Sequence, residues 1–94
     1  MENQIKYILI DRGYNERNAK LVAHELTLLS AALQPLITKW LDDEQCMEDF
    51  EAEGYSISGL MQKRGMTYPA ALLTIDWLLK EPEKAKLSLS RGIK

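Results

Sequence analysis

Apolar residues recur at helical spacing along most of the chain, and polar breaks divide it into short segments. Ile5, Ile8 and Leu9 share one face and predict a first helix over about residues 3–12. Gly13 follows as a left-handed cap, and Asn15 is placed to cap a second helix through its side-chain oxygen. That helix runs to about Leu29. Ala19, Val22, Ala23, Leu26 and Leu29 form its apolar stripe, while Glu16, Arg17, Lys20 and Glu25 lie off it. Pro35 suits a first helical turn and opens a third helix over about residues 35–44, with Leu36, Ile37, Trp40 and Leu41 apolar. Nothing breaks this pattern before Phe50, and Trp40, Met47 and Phe50 still share a side, so the helix has room to continue that far. Acids crowd its C-terminal end, where they oppose the helix dipole. The end is expected either to fray or to be covered by a basic segment.

Beyond Gly54 the punctuation is denser. Residues 53–56 read as a short extended link. Ser56 caps a fourth helix over 57–64, with Ile57, Leu60 and Met61 inward, and Gly65 ends it. Thr67 caps a fifth helix that has Pro69 near its start and runs to Lys80, and Pro82 stops its continuation. Residues 83–94 are ambiguous, because AKLSLS alternates like a strand while the same stretch also fits a last helical turn. The fold class is therefore all-α, a compact bundle of about five short helices. A chain of 94 residues is expected to form a single helical domain, 1–94.

The pair of helices at residues 56–80 resembles the helix-turn-helix superfamily, particularly its winged members. The residues that carry the likeness are Ile57, Leu60, Gly65, Met66, Thr67, Ala71, Ile75 and Leu78. The resemblance implies two helices welded at a steep angle around a glycine turn, and a regulator that binds DNA. Two positions depart from the pattern. Arg64 stands where the family has an apolar residue before the glycine, and Met61 is larger than the small residue typical where the helices cross. KEPEKAKLSLSRGIK is short for the β-hairpin of a wing. In the N-terminal half, Gly13-Tyr14 resembles the glycine-aromatic pair after the first helix of ubiquitin-associated three-helix domains.

The chemistry of the fifth helix speaks against reading DNA. A recognition helix needs long polar side chains that reach base edges, and TYPAALLTIDWLLK has no Arg, Asn or Gln and a lysine only at its far end. Its groove-facing positions would be Tyr68, Ala70, Leu73, Thr74 and Trp77, and Asp76 would repel phosphate. The nucleic-acid alternative rests on a basic face built from Lys63, Arg64, Lys84, Lys86 and Arg91. The same helix is apolar nearly all round, so it is either central to the bundle or shared with a protein partner or a second copy of the chain. Tyr68, Leu73 and Trp77 are the candidate partner-binding residues.

Net charge is −2, but the charges are segregated. Residues 42–53, DDEQCMEDFEAE, hold seven acids and no base, whereas residues 80–94 hold five bases and two acids. The acidic run has no mid-loop glycine, and Cys46 and Met47 interrupt any calcium-ligand pattern. It reads as a solvated face, or as a mimic of nucleic-acid phosphate offered to a basic protein. The lone cysteine, Cys46, excludes an intramolecular disulfide and lacks the basic neighbours of a reactive thiol. His24 is the single histidine, and Glu25 beside it points about 100° away, so the two make no acid–base pair. The glycines are scattered singly and form no phosphate loop. No catalytic residue, metal ligand or cofactor site is predicted. The N-terminal stretch does not read as a signal peptide, and no apolar run has the length of a membrane span, so a cytoplasmic protein is expected. The pattern as a whole points to a non-enzymatic interaction or regulatory protein. It names no partner and no pathway.

Overall fold

The computed structural model describes residues 2–91, and the ambiguous tail at 83–94 therefore lies partly outside the described residues. The chain is all-α. Among the described residues there are six helices and one two-stranded hairpin. Contacts divide the chain into two units, Met1–Met47 and Glu48–Lys94.

The first unit holds α1 (Glu2–Asp11), α2 (Glu16–Thr27) and α3 (Gln34–Asp42). Helices α1 and α2 pack on each other through Ile5, Leu9, Ala19, Ala23 and Leu26, all buried. The small alanines let the two backbones approach, and Leu9 and Leu26 fill the seam. Asn15 caps α2 as its position predicts, its side-chain oxygen accepting from the Asn18 amide at 2.8 Å. Helix α3 stops at Asp42 and does not continue to Glu44 or Phe50. The reason is local and electrostatic, since further turns would place Asp43 and Glu44 at the negative end of the dipole. That end is also covered by a base. The Arg12 guanidinium donates to the carbonyls of Trp40 and Leu41, both at 2.9 Å, and lies 4.5 Å from the centre of the Trp40 ring. Two carbonyls left without helical partners are thereby satisfied.

The second unit begins with a hairpin in place of the predicted extended link. Strand β1 (Glu51–Ala52) pairs antiparallel with β2 (Tyr55–Ser56). Glu53 and Gly54 turn the corner with φ of 53° and 85°, positive at both central residues. This is the mirror-image turn whose twist suits a two-residue hairpin. Gly54 adopts it without strain, and Glu53 is the sole non-glycine residue with positive φ among those described.

Helix α4 (Ile57–Arg64) starts where the hairpin ends. The Ser56 hydroxyl accepts from the Gly59 amide at 3.0 Å, and a Cβ at Gly59 would sit only 2.9 Å from that oxygen. Asp49 ties the same start to the strand's approach. Its carboxylate accepts from the Ser58 hydroxyl at 2.7 Å, the Ser58 amide at 3.1 Å and the Phe50 amide at 2.9 Å. Ser58 therefore acts through Asp49 and is not itself a cap. These bonds, led by the Ser58 hydroxyl, outweigh desolvation and hold the Asp49 carboxyl below the ordinary aspartate range.

Gly65, with φ of 66°, ends α4, and Thr67 caps α5 (Tyr68–Lys80) by accepting from the Ala70 amide at 3.3 Å. Pro82 stops α5 as expected, but it also starts a sixth helix, α6 (Pro82–Arg91). The alternation in AKLSLS is overridden by a helical one, with Ala85 and Leu89 buried one turn apart and Leu87 exposed between them. The core of this unit is α5, which packs against α4, α6 and β1 through Ala71, Leu72, Ile75 and Leu78.

Two outcomes are expected from this packing. Leu72→Ala or Ile75→Ala, both at fully buried positions, should destabilise the protein by about 2–5 kcal/mol in denaturant unfolding, and a loss well below that would mean α5 is not the core. Asp49→Asn, which keeps one acceptor oxygen but loses the charge, should be less stable than the unaltered chain near neutrality by a few tenths to about 1 kcal/mol, the site being exposed. Because the folded carboxyl titrates below its unfolded value, this advantage is complete above about pH 4 and disappears as pH falls through the folded value. An unchanged gap between the two proteins down to the most acid conditions would contradict the assignment.

Candidate functional site

Helix α5 is apolar on more sides than its neighbours cover. Tyr68, Ala71, Leu72, Ile75 and Leu78 are buried, while Leu73 and Trp77 are half-buried and Leu79 is exposed. Helix α6 leaves Trp77 partly open and adds Leu87, which is 54 % exposed. Residues 84, 87, 88 and 91 recur at three- and four-residue steps and so share one face of α6, opposite the buried Ala85 and Leu89. Together with Trp77 they line an open groove of about 370 Å³. Its apolar lining is Trp77 and Leu87, Ser88 adds a hydroxyl, and Lys84 and Arg91 are its cations, about two helical turns apart along α6.

Glu81 fixes one side of the groove. Its carboxylate accepts from the Trp77 indole Nε1 at 3.1 Å and pairs with Lys84 at 3.5 Å. The indole is thereby held by its polar edge. The pair to Lys84 is exposed on both sides, so it contributes little and is readily exchanged.

The candidate residues of the sequence analysis are distributed unevenly around this groove. Trp77 is in it. Leu73 is half-buried elsewhere on α5. Tyr68 is only 2 % exposed, and its hydroxyl donates to the Glu48 carbonyl at 2.8 Å, so its assignment to an exposed patch is corrected. The five cations do not form one basic face. Lys84 and Arg91 line the groove. Arg64 turns to α6, donating to the Leu89 carbonyl at 3.1 Å and lying 5.9 Å from the Tyr55 ring centre. Lys86 faces the hairpin, 3.2 Å from Glu53 and 3.8 Å from Glu83, and these carboxylates raise its pKa above the ordinary lysine value. Lys63 is exposed at the end of α4. Asp76 is buried and paired with Lys80 at 2.8 Å.

Leu87 and Ser88 are not recognisable as site residues in the sequence, because they acquire a shared face only once residues 82–91 are helical. The spacing of Lys84, Leu87, Ser88 and Arg91 was the available signal. Elsewhere, His24 is exposed and its Nδ1 lies 3.2 Å from Glu2 across the α1–α2 pair. Among the described residues, no group of three or more histidine, cysteine or acidic side chains is placed to hold a metal ion. No described helix is long and apolar enough to cross a membrane. Comparison with known proteins gives no match among family models, curated proteins or solved structures.

Proposed function

We propose that this chain is a non-enzymatic interaction protein that binds a protein segment in the groove between α5 and α6. The observation that carries the reading is the apolar lining of half-buried Trp77 and exposed Leu87 beside two cations. A half-buried tryptophan beside an exposed leucine is the composition of a contact surface, where aromatic anchors supply most of the binding energy. Lys84 and Arg91 would orient a ligand and exclude basic ones.

The second unit has the helix–glycine turn–helix order of a DNA-binding module, yet its chemistry supports protein contact better. The exposed and half-buried positions of α5 include Ala70, Leu73, Thr74, Trp77 and Leu79, which offer base edges almost no donors. Arg64 and Lys86 are engaged within the unit, leaving few cations for phosphate.

Two titrations test this reading. Peptides selected from a displayed random library should bind the protein and lose binding to Trp77→Ala and Leu87→Ser. A labelled random duplex at low ionic strength should remain free. If no selected peptide depends on Trp77 or Leu87, and the duplex is bound with steep salt dependence, the protein-contact reading falls and the nucleic-acid one replaces it.

A further inference from the structure

We propose that the groove receives the acidic segment Asp42–Met47 of a second copy of this chain. The inference rests on the reading of the groove as a protein-binding surface and names its ligand. The chain carries a segment whose pattern complements the groove. Asp42, the last residue of α3, and Asp43 and Glu44 after it are consecutive, exposed carboxylates. Met47, 49 % exposed, lies three residues further on, and Glu48 follows it. Carboxylates thus flank one apolar side chain on both sides. In the groove, Lys84 and Arg91 flank Leu87 and Trp77 in the same order of charge, apolar, charge.

The dimensions agree. Lys84 and Arg91 are seven residues apart on α6, about 10 Å along the axis. Between Asp43 and Met47 the chain makes a turn, the Cys46 amide donating to the Asp43 carbonyl at 2.8 Å and the Met47 amide to the Gln45 carbonyl at 3.1 Å, so Glu44 and Met47 lie less than about 10 Å apart. Met47 seated beside Leu87 and Trp77 therefore brings the preceding carboxylates toward a groove cation. Thioether sulfur against an indole ring is a favourable contact, and an unbranched side chain adapts to an open groove. Lys84 exchanges its exposed partner Glu81 for the incoming carboxylate at little cost. Both surfaces are open to solvent in the single chain.

The contact joins different surfaces of the two copies, so reversing the charge of either one should break it and reversing both in complementary proteins should restore it. The unaltered protein should increase in mass with concentration in sedimentation velocity, and the increase should shrink as salt is added. Lys84→Glu/Arg91→Glu should weaken association about tenfold, several exposed ion pairs being lost together. Asp42→Lys/Asp43→Lys/Glu44→Lys should do the same. Mixed in equal amounts, the two variants should associate again, because the unaltered segment of one meets the unaltered groove of the other and the acidic groove faces the basic segment. Recovery in the mixture also shows that both variants are folded.

Three results would overturn the proposal. The first is an unaltered protein that stays monomeric at high concentration while selected peptides still bind in a Trp77-dependent way. That result leaves the groove a binding surface for a different protein. The second is association that survives both reversals, which places the contact elsewhere. The third is a mixture of circularly dichroic, folded variants that fails to associate. Loss of Trp77-dependent peptide binding would instead remove the underlying reading along with this one.

Discussion

The rest of the second unit follows from one constraint, that α5 carries more apolar surface than a single neighbour can cover. Thirteen residues, Tyr68 to Lys80, include apolar side chains on almost every flank. Water must be kept from most of them if the chain is to fold. Helix α4 covers one side, α6 another and β1 a third. Each of these elements is short, and none would be stable alone. They persist because α5 gives each an apolar surface to sit on. The flank left over, around Trp77, is what the groove is made from. Fold and candidate site are thus two aspects of one excess of apolar surface.

Polar bonds decide where each element begins and ends around that core. Asn15, Ser56 and Thr67 each satisfy an amide at a helix start. Asp49 joins the approach to the hairpin with the start of α4, and Arg12 closes the end of α3. Among the described residues no buried side-chain nitrogen or oxygen lacks a hydrogen-bond partner. The individual contributions are modest, but an unsatisfied buried group would cost more than a made bond contributes. The elements therefore have definite limits even though they are short.

These limits differ in how far they can be read from the chain. The three capping residues were legible because each bonds an amide three residues ahead, and the side-chain type announces it. The apolar stripe of α2 was legible for the same local reason. The hairpin was not, since its turn places a glutamate at positive φ where an asparagine or glycine would have signalled it. Pro82 signals a stop, yet proline is equally at home in a first helical turn, so one residue both ends α5 and opens α6. The acids after α3 mark its weak end locally, but the cation that covers that end, Arg12, is 28 residues away, and no local pattern connects them. Trp77 stood out as an apolar residue on an over-apolar helix. Leu87 could be recognised only after α6 was known to be a helix.

The Arg12 contact has a consequence for how the first unit tolerates change. One planar cation meets two carbonyls and a tryptophan face at once. A lysine carries the same charge but offers a rounded ammonium with no flat surface and no fork. It would reach one carbonyl and abandon the ring. Charge conservation alone is therefore a poor guide to which substitutions this corner accepts, and shape is the property being used.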